Sequence, residues 1–299
     1  MDKRISYGGQ AVIEGVMIRG RDHYSLAVRR PNGEILTESS RLSTIYTGRL
    51  RNIPLIRGVI LLVETMVIGI SVLSRSANIA LEEEGQELSG WSMAGMLLFS
   101  LGIGVSLFFI APLLAIRSLD SFIVSDEISN LVEGVLRLSM FVAYIFLIGR
   151  LPDIKRVFAY HGAEHMTVHA YEHGVPLEVE NVRGFPTAHN RCGTAFLLVV
   201  MVVAIAVFTF IGRPPLLISI VSRIVLVPVI AAISYEIIRF SGAHAKNILV
   251  KSIVYPSLAL QALTTRHPED DQIEVAIHAM KQALSIDEEA NVRDVGVTE

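Results

Sequence analysis

The sequence predicts a mainly α-helical polytopic membrane protein, with about four spans in two hairpins and a small β-containing module at the N-terminus. Three observations carry this. Hydrophobic residues make up 52% of the chain, charged residues only 18%, and the mean hydropathy is +0.51, whereas a soluble domain is about a quarter charged. Several long runs carry no charge, among them "SMAGMLLFSLGIGVSLFFIAPLLAI" from Ser92 to Ile116. Near the start, two short β-prone runs flank "PNG", a hairpin turn signal.

Residues 1–57 are expected to form the β-containing module, with strands over Tyr24 to Arg30 and Glu34 to Glu38. The stretch "YGGQAVIEGVMIRG" is rich in glycine but lacks the strand–G-x-G-x-x-G–helix arrangement and the P-loop lysine, which argues against a nucleotide site. "MDKRISYGGQ" has no apolar run behind it, so no cleavable signal peptide is expected. Residues 58–75 are apolar but contain Glu64 and are flanked by Arg57 and Arg75, which suits an interfacial or re-entrant segment. Ser92 to Ile116 can cross a hydrocarbon core of about 30 Å as a helix. Leu131 to Gly149 completes the first hairpin, residues 92–150, with Glu133 and Arg137 at the i,i+4 spacing of a helical ion pair.

A histidine-rich connection, 151–193, follows, and then the second hairpin, 194–240, with Thr194 to Ile211 and Pro214 to Ser234 joined by the short "GRPP". Arg223 interrupts the last run and is expected to be buried in the bundle, whereas Glu64 is expected to snorkel. Residues 241–286 are read as an amphipathic helical region. In it, Pro268 to Asp271 start a helix whose apolar face is Ile273, Ile277, Met280 and Leu284. The acidic tail, 287–299, is expected to be disordered. Loop charges orient the whole. Residues 1–57 carry Lys3, Arg4 and eight further arginines, and the 150–193 connection carries Arg150, Lys155, Arg156, Arg183 and Arg191. The 117–130 loop sets Arg117 against Asp120, Asp126 and Glu127. The positive-inside rule therefore puts both basic regions and both termini in the cytoplasm, provided the Glu64 segment does not cross.

The candidate chemistry lies in "YHGAEHMTVHAYEHG", Tyr160 to Gly174, where His161, His165, His169 and His173 recur every four residues. On an α-helix four residues advance about 6 Å and share a face, so His161 and His165 can reach one ion. His161 and His169 lie about 12 Å apart and cannot, so the four histidines supply at most two pairs. "HGAEH" also matches the H-x-x-E-H order in which two histidines hold zinc and Glu164 serves as base. A tetrahedral site needs a further ligand, and "TAHNRCGT" offers His189 or Cys192. Both imidazole and thiolate suit zinc or another divalent transition metal. The competing reading is a His- and Tyr-rich helix at the bilayer surface with Cys192 as a small buried residue. Cys192 is the only cysteine, so an intrachain disulfide is excluded. The net charge of −3 gives no global electrostatic case for specific nucleic-acid recognition.

Taken together, "YGGQAVIEGVMIRG", "YHGAEHMTVHAYE", "NRCGTAF" and "LALQALTTRHPEDDQIEVAI" resemble, in order and over nearly the whole chain, the bacterial YqhQ-type family of multi-pass membrane proteins. The resemblance implies the bacterial cytoplasmic membrane and a possible metal-dependent enzyme, but no substrate. Within "HMTVHAYEHG", His173 is less tied to the family pattern than His161, Glu164, His165 and His169. The leading expectation is a cytoplasmic-face metal site, His161 and His165 with His189 or Cys192, performing hydrolysis with Glu164 as base. The rival is a non-enzymatic accessory factor for membrane-protein insertion, translocation or assembly. Its basic face would meet anionic lipid or the biogenesis machinery.

Overall fold

The computed structural model describes residues 7–82, 90–123, 125–189, 192–243 and 248–296. The expectations for Lys3, Arg4, Arg191 and the end of the tail fall outside them.

The N-terminal module is a four-stranded antiparallel meander: β1 (Gly8–Val12), β2 (Gly15–Arg19), β3 (His23–Arg29) and β4 (Ile35–Arg41), in the order β1-β2-β3-β4. β3 and β4 are the two strands read around "PNG". β1 and β2 come from the glycine-rich stretch, which folds as a tight hairpin pairing Val12 with Gly15. Glu14 takes the positive-φ position of its turn, at 52°.

Side chains alternate across the sheet, as a pleat requires. Val16, Ile18 and Ala27 face one core, and Met17, Leu26 and Val28 face another. The first core is completed by α6 (Pro152–Glu172) and α12 (Asp270–Gly296) through Tyr160, Met166, Ile273 and Met280. The second is completed by α2 (Ile56–Ala80) through Ile68, Val72 and Ile79. The module is thus three-layered, with α2 on one face of the sheet and α6 with α12 on the other.

α2 corrects two expectations. The Glu64 segment extends beyond residues 58–75, because it runs for 25 residues and by length and apolarity could cross a bilayer. Glu64 does not snorkel. It is buried and bonded to Arg19 of β2 at 2.7 Å, and so joins the helix to the sheet. A salt bridge from Arg75 to Glu38 of β4 adds a second tie further along. The opposite side of α2 presents Val63, Met66, Val67, Ile70 and Leu73, all exposed. The preceding stretch holds a short helix, α1 (Thr44–Thr47), capped by Ser43.

The hydrophobic helices follow the reading closely. α3 (Gly90–Val105) continues through a π-helical turn at Ser106–Ile110 into α4 (Ala111–Arg117), and α5 (Asp126–Ile148) returns. A four-residue helix, α7 (Val179–Val182), lies between α6 and α8 (Gly193–Ile211). Among the described residues, four helical stretches qualify as spans by length and composition: α2, α3 with α4, α5 and α8. The expected fourth span, Pro214 to Ser234, is broken. α9 (Leu216–Val225) and α10 (Val227–Ala243) meet at 46°, and only as a pair are they long enough to cross.

Arg223 is buried as expected, paired with Glu133 of α5 at 2.9 Å, and Glu133 also takes Arg137 at 2.5 Å in the anticipated i,i+4 pair. Glu236 of the "YEIIRFSGAH" stretch is bonded to Arg57 at 2.7 Å and so ties α10 to α2, whereas His244 lies outside the described residues.

The last region is two helices, α11 (Ile248–Thr264) and α12. α12 starts in the acidic turn foreseen and buries Ile273, Ile277 and Met280. It does not give way to a disordered tail at Asp287. Asp287 is buried and accepts a 2.7 Å bond from the Tyr7 hydroxyl, and the helix continues to Gly296.

Candidate metal centre

α6 begins at Pro152, a residue suited to the first helical turn, and carries the histidines along one side. Gly162 lets that side come close to its neighbours. A Cβ there would lie 2.1 Å from the Arg266 carbonyl oxygen and 3.2 Å from Thr187. A 2.9 Å bond from the Arg266 amide to the Phe158 carbonyl fixes the same segment against α6. Gly9 of β1 does likewise from the sheet side, where a Cβ would sit 2.9 Å from Glu164 Cγ. Glu14 reaches α6 as well, but at Arg156 and Tyr160, the latter at 3.2 Å, rather than at the histidines. Burial, with Glu14 nearby, pushes the Tyr160 phenol well above its ordinary value.

These close approaches bring backbone carbonyls to the imidazoles. His161 Nδ1 is 2.9 Å from Thr264 O, His165 Nδ1 is 2.5 Å from Thr187 O, and His169 Nε2 is 2.9 Å from Ala188 O. A carbonyl can only accept, so each of these ring nitrogens carries the proton and the other keeps its lone pair in the neutral ring. Metal-ligating histidines are characteristically fixed in this way.

The remaining nitrogens of the first two rings turn towards Cys192, the N-cap of α8. His161 Nε2 lies 3.3 Å from its sulfur. Donor atoms of His161, His165 and Cys192 all fall within 4.8 Å of one another. Glu164 is buried beside them, with its Oε2 3.5 Å from His165 Nε2. Burial opposes protonation of His165, but the Cys192 hydrogen bond and the charge of Glu164 outweigh it and raise the imidazole's pKa.

His189 does not join this trio. Its Nε2 lies 3.4 Å from Glu172, and donor atoms of His169, Glu172 and His189 form a second group within 4.8 Å. Burial, then the neighbouring His169 and His165, hold the His189 imidazole down to about 4, so it is neutral at physiological pH. Of the two residues offered by the sequence, Cys192 lies with His161 and His165, and His189 lies with another set. His173 is exposed and bonded only within its own helix, to His169 O at 2.8 Å, apart from a ring contact with Phe185. The sequence reading gives Glu172 no role, although its i,i+3 spacing from His169 places the two on one face.

The donor set of the first group, two imidazoles and one thiol, is one that zinc accepts, and three protein ligands leave a fourth position open, as in catalytic rather than structural zinc sites. Among comparisons with known proteins, the family described as a protein of unknown function, DUF1385, matches residues 53–286. The chain is 33% identical to the uncharacterized protein YqhQ of Bacillus subtilis (strain 168), over 94% of this chain and 93% of that one. No solved structure matches. The chain belongs to this YqhQ-type, DUF1385 family.

Proposed function

Starting from that membership, we propose that the protein is a metal-dependent hydrolase of the bacterial cytoplasmic membrane, with its metal centre on the cytoplasmic face. The observation that supports this most is the orientation of the histidines. His161 and His165 each spend one nitrogen on a main-chain carbonyl and aim the other at the space shared with Cys192. A surface helix that merely happened to be rich in histidine would have no need of three separate carbonyl anchors.

In this reading His161, His165 and Cys192 hold zinc or a similar divalent ion. The ion would supply Lewis acidity, polarising a substrate oxygen and lowering the pKa of a water. Glu164 would serve as the base, a role that its burial beside His165 suits. Gly9 holds the sheet close against Glu164 and limits how far the carboxylate can swing.

Packing supports the membrane placement. The sheet, α6 and α12 share one core, so residues 7–41, 152–172 and 270–296 occupy one side of the bilayer. An even number of crossings must separate them. α3 with α4 and then α5 supply two. α2, fastened to the sheet from Glu64 to Ile79, lies along the interface with its exposed apolar side in lipid. α8 with the bent α9–α10 pair supplies the second hairpin. The basic loops favour the cytoplasm for the packed side. A cysteine placed at Asn32 or Asn181 is then shielded from an impermeant thiol reagent in intact cells. Labelling of either from outside would overturn the placement.

The chemistry is tested by Glu164→Gln, which keeps shape and hydrogen-bonding atoms but removes the base. It should retain metal and fail to complement a deletion strain, whereas His161→Ala should lose metal and also fail. Full complementation by both variants would remove the catalytic reading and leave the accessory-factor alternative in front.

A further inference from the structure

We propose that His169, Glu172 and His189 hold a second divalent transition-metal ion, so that the centre is dinuclear. The inference rests on the metal reading of the first position only for its catalytic use, and its own occupancy stands on separate residues.

Four observations carry it. The donor atoms of the three residues lie within 4.8 Å of one another, as those of the first group do. His169 has the same anchoring as its neighbours, one nitrogen bonded to a main-chain carbonyl, Ala188 O, at 2.9 Å, and the other left with its lone pair. His189 is held by its main chain. Its amide donates to Gln261 Oε1 at 2.9 Å and its carbonyl accepts from Gln261 Nε2 at 3.0 Å, with Gln261 fully buried in α11. This two-point clamp serves a ring that must stay in place. Finally, His189 Nε2 and Glu172 Oε2 are 3.4 Å apart. The contact is a long hydrogen bond, against about 2.7 to 3.2 Å for a good one, and it brings both donor atoms to the place they share with His169.

The two positions are neighbours. One helical turn, about 6 Å, separates His165 from His169 on the same side of α6, and the His165 and His189 rings are 5.7 Å apart. Phe185 stacks on His169 at 6.2 Å. An ion at each position would set two Lewis acids on the same side of α6.

The test uses untagged, full-length protein in mild detergent, stripped of metal and reloaded with cobalt(II). Wild type should bind two equivalents and show a thiolate-to-cobalt charge-transfer band from Cys192. His169→Ala and Glu172→Gln should each lose one equivalent and keep that band, because Cys192 belongs to the other position. Two variants are used because Glu172→Gln alters no ring packing and guards against a folding defect in His169→Ala. One equivalent in wild type with an intact thiolate band, unchanged in both variants, would overturn the second position and leave the first standing. Cobalt bound with no thiolate band, and lost in both variants, would keep the second position and overturn the first. No bound cobalt would overturn both.

Discussion

Glu133 in the hairpins is shared by two arginines, Arg137 at 2.5 Å and Arg223 at 2.9 Å, and all three are buried. On α6 His165 is buried and His161 and His169 are half-buried, yet each has only one ring nitrogen satisfied by the main chain, and the other faces further donor atoms. The two regions bury polar groups to different ends. In the hairpins the charges answer one another, Arg137 also reaches the Phe108 carbonyl at 2.9 Å in the π-helical turn, and both guanidinium groups lie over the Phe208 ring. Such a cluster fixes how helices pack. In the histidine centre, imidazole, thiol and carboxylate donors converge in groups whose atoms lie within 4.8 Å of one another, an arrangement that suits a cation. Buried polarity alone therefore does not mark a site. What marks it is lone pairs aimed at a shared space.

The largest effect expected from breaking this contrast is at Glu133. Glu133→Leu leaves two buried guanidinium groups without their carboxylate and should cost about 3–5 kcal/mol. The readout is the thermal midpoint in detergent and the amount of protein in the membrane. Metal content of the surviving protein should be unchanged, and a loss of metal there would show the regions to be coupled.

A smaller cost, about 1–3 kcal/mol from overpacking, is expected for Gly162→Ala, whose new methyl meets the Arg266 carbonyl. Here the sharper readout is metal retention. Displacing α6 from the 264–266 segment pulls His161 away from Thr264 O, so metal affinity should fall by about 10- to 100-fold, as when such supporting contacts are removed. Retained affinity with lowered stability would mean that the carbonyl anchor is dispensable. The smallest effect belongs to His173→Ala. Its ring is exposed and bonded within its own helix, so stability should stay within about 0.5 kcal/mol and metal content should not change.

Legibility from sequence followed the range of the interaction. The i,i+4 pairs, Glu133 with Arg137 and His161 with His165, are local consequences of helical pitch, and both were readable. The "PNG" hairpin and the apolar face of α12 were readable for the same reason. Glu64 was misread because its partner, Arg19, lies 45 residues away on a strand hidden in a glycine-rich segment. Asp287 was misread because its partner is Tyr7, at the other end of the described chain. Which of His189 and Cys192 would meet His161 depended on how the 173–192 connection folds back. That is set by Gln261 and by carbonyls of Thr187 and Ala188, none of which carries a motif. The second donor group was only half visible, since Glu172 became a neighbour of His189 through that same return.

The central claim is that His161, His165 and Cys192 are arranged for a metal ion, and thermal unfolding of metal-stripped protein with and without added zinc tests it most directly. A ligand that binds only the folded state at about 100 times its Kd stabilises by about 2.7 kcal/mol, so zinc should raise the midpoint of wild type by several degrees. The rise should shrink clearly in His161→Ala and in Cys192→Ser. A wild-type midpoint that zinc leaves unmoved, or a shift of equal size in both variants, would contradict the account.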